Sequence, residues 1–135
     1  KETPSEKMVG GEGRVLLMDD EDRIRNLGRR LLERLGYQVE TAGGGKEALK
    51  RFQIARDAKK PFRAVILDLT VKGGMGGIET LKELRKIDPG VTAIVSSGYS
   101  NEPVMSDPGA AGFSGAIPKP YELRTFSRVL ADVLS

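Results

Sequence analysis

Five polar side chains stand where short apolar runs stop. Asp19 and Asp20 follow the run at 15–18, Asp68 follows 64–67, Ser97 comes just after 91–95, and Lys119 follows 115–118. If these runs are strands of one parallel sheet, their carboxyl ends open on one crevice, the place where such sheets bind ligands. Three carboxylates, a hydroxyl and an ammonium would then share a small volume. Three acids so close cannot all ionise without a compensating cation. An all-oxygen donor set suits Mg2+, which takes a couple of carboxylates together with water and phosphate oxygens. Mg2+, a lysine and a hydroxyl are what a transferring phosphoryl group requires, and a carboxylate such as Asp68 belongs to an established class of covalent acceptor.

Composition removes most rival chemistries. The 135 residues include no His and no Cys, so no imidazole base, thiolate nucleophile, disulfide or Cys/His zinc site is available. Zincins, Ser-His-Asp hydrolases, cysteine proteases and zinc fingers are excluded. The 22 basic residues exceed the 19 acidic ones by three. They are interleaved with the acids and never run five in a row, which speaks against direct nucleic-acid binding. No apolar run approaches the ~20 residues of a membrane-spanning helix, so membrane insertion is not expected, and a chain without cysteine is compatible with the cytoplasm. The length fits one domain, large enough to fold without a metal or disulfide staple. The chain starts at Lys1 rather than Met, which suggests processing or excision from something longer.

The elements that must position these residues follow from periodicity. Residues 1–13 are polar and Gly-rich and read as a linker or tail, leaving 14–135 as the domain. Ile24, Leu27, Leu31 and Leu35 recur at helical spacing over 21–35, with Gly36 as a stop. Residues 37–41 alternate as a second strand. A helix at 44–60 carries Ala48, Phe52 and Ala55 on one face and closes at Pro61. After Asp68, the loop Gly73-Gly74-Met75-Gly76-Gly77 leads into a helix at 78–87. A weak helix at 101–111 tolerates Pro103 only in its first turn. The last helix, 121–134, buries Leu123, Phe126, Leu130 and Val133. Five β–α units with near-continuous apolar strands imply a doubly wound five-stranded parallel sheet, with five helices on its two faces.

Each residue also has a plainer reading. Asp19 and Asp20 suit the start of a helix, Ser97 lies in ordinary loop chemistry, and a lone Lys119 is usually surface. The glycine loop lacks the G-K-[ST] ending of a phosphate-binding P-loop. The basic positions Arg23, Arg25, Arg29, Arg30, Arg34, Lys46, Lys50 and Arg51 are most simply solvated. The conjunction at four strand ends, in order, is what carries weight.

On these residues the sequence resembles response-regulator receiver domains over 14–135. Asp19 and Asp20 match the family's acidic pair, Asp68 its phosphoacceptor, Ser97 and Gly98 the hydroxyl residue and its small neighbour, and Lys119-Pro120 the lysine and its proline, whose bond is usually cis. Thr70 matches the metal ligand that acts through its backbone carbonyl. The resemblance implies a flavodoxin-like fold with strand order 2-1-3-4-5. It implies Mg2+, with Mn2+ as a substitute, held by Asp19, Asp20, Asp68 and Thr70, and a partner histidine kinase or histidine phosphotransfer domain docking at the first helix. A dimer is compatible with it. The stretches 67–77 and 96–100 are similar to receivers of hybrid sensor histidine kinases, so a cytoplasmic C-terminal receiver of a membrane-anchored kinase is the expected parent.

Three positions depart from the family pattern. Lys72 replaces a frequent Pro, and Pro118 precedes Lys119. Ala116 stands where many receivers carry an aromatic switch residue, leaving Ser97, Gly98 and Tyr99 as the rest of the switch. Two other classes compete: a degenerate receiver serving for docking or dimerisation, and a haloacid-dehalogenase-like phosphatase. The phosphatase needs a second Asp where Thr70 stands, and a dinucleotide site fails because residues 18–23 lack G-x-G-x-x-G.

Overall fold

The computed structural model describes residues 8–99 and 101–135. Ser100 and the first seven residues of the expected tail lie outside the described residues. Five strands, β1 (Arg14–Met18), β2 (Gln38–Ala42), β3 (Ala64–Asp68), β4 (Ala93–Ser97) and β5 (Gly115–Pro118), pair in parallel in the order β2-β1-β3-β4-β5. Five helices cover them: α1 (Asp22–Arg34), α2 (Gly45–Asp57), α3 (Gly77–Ile87), α4 (Pro103–Ser106) and α5 (Leu123–Leu134).

The two sheet faces explain the unbroken apolar runs. Along β1, Leu16 and Met18 join a core with Phe52 of α2 and Leu81 and Leu84 of α3. Val15 and Leu17 join a second core with Leu32 of α1 and Phe126 and Leu130 of α5. Alternate residues of one strand are thus buried on opposite faces, and only apolar side chains tolerate that without partners. The strand order reverses between β1 and β3, so the chain leaves β1 and β3 toward different neighbours. This opens the crevice at their carboxyl ends, where Asp19, Asp20 and Asp68 sit.

Several elements differ from their sequence-based bounds. β4 begins at Ala93 rather than Val91 and runs through both serines, because Ser96 and Ser97 pair with Asp68 and Pro118. The helix expected over 101–111 splits into the single turn α4 and a 3-10 turn, Pro108–Ala111. Pro108 donates no N–H, and it biases Asp107 away from helical angles; Asp107 lies at φ −139°, ψ 69°. α5 starts at Leu123, after an extended Glu122. In α1 the fully buried side of the helix is Gly28 and Leu32, while Ile24, Leu27 and Leu31 are only partly covered. Residues 8–13 lie outside any helix or strand. The Val9 N–H donates to Ser127 Oγ at 2.6 Å, and the Gly11 N–H to the Leu35 carbonyl at 2.7 Å.

Gly28 lets α1 approach the sheet. A Cβ there would stand 2.5 Å from Leu17 Cδ2 and 3.3 Å from the Tyr121 ring. Overfilling a packed core costs about 1–3 kcal/mol. Gly28→Val is therefore expected to lower unfolding stability by that amount in a denaturant titration, and an unchanged midpoint would contradict this packing.

Candidate functional site

The polar residues meet above β1, β3, β4 and β5. Asp19 directly follows β1 and is fully buried; Asp68 ends β3 with 4% of its surface exposed. Lys119, just past β5, reaches back between them. Its Nζ lies 2.6 Å from Asp19 Oδ2 and 3.1 Å from Asp68 Oδ1. Asp20 completes the acidic set, and ligand oxygens of Asp19, Asp20 and Asp68 all lie within 4.8 Å of one another. These four residues, with Thr70, Ser97, Gly98 and Tyr99, were expected at one site. All but Asp19 line a cleft of about 580 Å3, together with Glu21 and Lys72; Asp19 is fully buried and reaches the site through Lys119.

The backbone explains each position. Asp19 Oδ1 accepts from the Glu21 N–H at 2.9 Å, and α1 has no side-chain cap. The acidic pair therefore turns the chain rather than capping the helix. Arg25 is not simply solvated: its guanidinium donates to the Asp19 carbonyl at 2.6 Å. Asp20 Oδ2 accepts from the Lys72 N–H at 3.1 Å. A proline at 72 would have no such donor, so this departure ties the β3–α3 loop to Asp20. Gly76 brings that loop back beneath the site, since a Cβ there would lie 2.5 Å from the Leu69 carbonyl oxygen.

Burial, and next the charge of Asp19, push the Asp68 pKa up to about 6, with Lys119 opposing them. Burial alone would lower the Lys119 pKa; the Asp19 and Asp68 carboxylates outweigh it and hold the ammonium above the ordinary lysine value. One cation faces three carboxylates, and the imbalance is carried by Asp68. Ser97 Oγ accepts from the Tyr99 N–H at 3.0 Å, and among the described residues its own O–H donates to no other side chain. The Tyr99 side chain points outward, 67% exposed. Ala116 pairs with Val95 in register and packs against the core, so β5 offers no aromatic beside Ser97. The Lys119–Pro120 bond is cis. Sequence reasoning passed over Ser96 and Tyr121 as site residues, although Ser96 adjoins Ser97, Tyr121 follows Lys119-Pro120, and their buried hydroxyls meet at 2.8 Å. The Tyr after Lys-Pro was the available signal, but it was absorbed into the helix.

A model of the response regulator receiver domain matches residues 15–131. This chain belongs to that family. The receiver is similar to chemotaxis protein CheY of Thermotoga maritima, 32% identical over 110 residues that cover 81% of this chain and 87% of that one. It is similar to sensor kinase CckA of Brucella abortus, 34% identical over 126 residues, which cover 93% of this chain but 13% of the kinase. It spans less than half the length of several such relatives. Among solved structures, response regulator TrrA of Thermotoga maritima, in complex with Mg2+ and BeF, has a TM-score of 0.75 at 30% identity, covering 90% of this chain and 99% of that one. The fold and family place the chain in two-component signalling, where receivers partner with histidine kinases or phosphotransfer proteins. Among the described residues no helix is long and apolar enough to cross a membrane.

The raised pKa of Asp68 has a sign that can be tested. A carboxyl whose folded pKa lies above its unfolded value of 3.8 favours folding when protonated, below that value. The benefit fades as pH rises through about 6, and the ionised group then burdens the metal-free fold. Asp68→Asn is expected to raise unfolding stability at pH 8 by on the order of 2 kcal/mol, with the gain shrinking toward pH 5. Urea midpoints at both pH values check this; a less stable variant at pH 8 would contradict it.

Proposed function

We propose that this receiver accepts a phosphoryl group on Asp68 from a phosphohistidine of a histidine kinase or histidine phosphotransfer domain. The observation that carries the reading is the Asp68 carboxylate in an open cleft, 3.1 Å from the Lys119 ammonium, with the oxygens of two further carboxylates within 4.8 Å.

The donor set fits a hard divalent cation. Its side-chain donors are all carboxylate oxygens, and their charge exceeds what Lys119 neutralises. Asp20, Asp68 and the Thr70 carbonyl would hold Mg2+, with Asp19 acting through water and Mn2+ as a substitute. When bound, the ion supplies positive charge against the phosphoryl oxygens. The relative solved with Mg2+ and BeF supports that assignment.

The remaining chemistry belongs to this chain. An Asp68 oxygen attacks phosphorus in line; the P–N bond of phosphohistidine breaks and the imidazole nitrogen leaves with the electron pair. Lys119 pairs with a phosphoryl oxygen as Asp68 gives up its own charge to the new acyl phosphate. Ser97 turns its O–H toward another. Attack of water at phosphorus later returns the carboxylate and releases phosphate, so the domain takes part in its own resetting. The added charge biases the β4–α4 and β5 surfaces toward a second state. With Ala116 on β5, the nearby aromatic on this path is Tyr99, tied to Ser97 through its N–H.

The similarity to CckA and the stretches at 67–77 and 96–100 support an origin in a hybrid sensor kinase. Ala116 favours a second reading, a receiver retained for docking or pairing without the switch. Intact mass after incubation with Mg2+ and acetyl phosphate separates the two. One phosphoryl adduct is expected on the wild type, dependent on Mg2+ and absent in Asp68→Asn. No adduct on a protein that binds Mg2+ would favour docking.

A further inference from the structure

Consecutive residues of β4 hold Lys119 from both sides. The Lys119 N–H donates to the Ser97 carbonyl at 2.9 Å. Two residues on, the Tyr121 hydroxyl meets Ser96 Oγ at 2.8 Å. Pro120 lies between with its φ fixed by the ring, so the short segment has little freedom once both ends are tied. Ser96 also faces the acceptor strand. It is the register partner of Asp68, and its carbonyl accepts from the Leu69 N–H at 2.8 Å. A single residue thus joins the backbone just after Asp68 to the segment that carries Lys119.

The hydroxyl pair is not explained by packing alone. Tyr121 is buried against Phe126, ring centroids 4.8 Å apart, and closes on Gly28 of α1. A phenylalanine would fill the same space without a buried polar atom to satisfy. Burial raises the phenol's pKa and keeps it a neutral hydroxyl. Among the described residues, no other side-chain hydrogen bond joins residues 119–122 to β4. Lysine is a long, flexible side chain, so the anchoring of its backbone decides whether Nζ reaches both carboxylates.

We propose that Tyr121 is a positioning residue for phosphoryl acceptance, and that through Ser96 it sets where the Lys119 ammonium lies relative to Asp68. This rests on the reading of Asp68 as the acceptor. The hydroxyl bond tethers the lysine segment to the same strand that is in register with Asp68, so losing it loosens the lysine while leaving the ring packed.

Tyr121→Phe, Ser96→Ala and the double variant test this against the wild type. Adduct formation from acetyl phosphate with Mg2+ gives the rate, and 15N-lysine NMR of the Lys119 ammonium without phosphodonor gives the geometry. Each single variant is expected to slow acceptance about fivefold, the worth of one net hydrogen bond, and to shift the Lys119 resonance. The double variant should be no slower than either single one, and Ser96→Thr should restore the rate. Wild-type rate and an unmoved resonance in Tyr121→Phe, or losses that multiply in the double variant, would overturn the proposal while leaving Asp68 as acceptor. No adduct on the wild type would overturn the acceptor reading, and this one with it.

Discussion

One ammonium between buried carboxylates is the constraint around which this receiver is arranged. Lys119 Nζ sits 2.6 Å from an oxygen of fully buried Asp19 and 3.1 Å from one of Asp68. Taking such groups out of water is costly unless each is paired. Lys119 pairs two acids, Asp20 adds a third, and the group left most frustrated is Asp68, whose pKa rises. A site with surplus negative charge and an open cleft is disposed toward a divalent cation. With that cation present, it is disposed toward the electron-rich oxygens of a phosphoryl group.

The fold exists, in this sense, to hold those charges against their repulsion. They come from three strand ends, Asp19 and Asp20 from β1, Asp68 from β3 and Lys119 from β5, and these strands are locked by apolar side chains on both faces. Parallel pairing brings the ends to one level: Asp68 is opposite Ser96, and Ser97 is opposite Pro118, just before Lys119. Loop contacts refine the placement. Arg25 holds the Asp19 carbonyl, and Lys72 holds Asp20 through its backbone N–H. Beside Ser97 and Tyr99 the fully buried strands give way to the short, broken α4 region.

Much of this was legible in the sequence because the relevant signals are local. Short apolar runs followed by Asp, Ser or Lys announce strands and strand-end chemistry, and their alternation with helical segments gives the architecture. Asp20, Asp68, Ser97 and Lys119 of the cleft were read for the same reason, whereas Thr70, Gly98 and Tyr99 came from the family resemblance and Glu21 and Lys72 were not expected there. The parts that were missed depend on tertiary contact. Gly28 carries no apolar signal, yet it is the buried contact of α1 because Leu17 and Tyr121 fill the space a side chain would take. Ser96 looked like a loop residue until its pairing with Asp68 and its bond to Tyr121 placed it in the sheet. The split at Asp107-Pro108 could have been read from the proline alone, but only Pro103 was weighed and 101–111 was read as one weak helix.

The central claim is that the acidic cluster is a cation site left under-neutralised by Lys119. An Mg2+ titration of the folded protein, followed by backbone amide NMR and thermal unfolding, tests it most directly. One saturable site is expected, with shifts concentrated at Asp19, Asp20, Asp68 and Thr70 and a higher unfolding temperature, both lost in Asp20→Asn. Shifts spread over the surface without saturation at millimolar Mg2+, or binding unchanged in that variant, would contradict it.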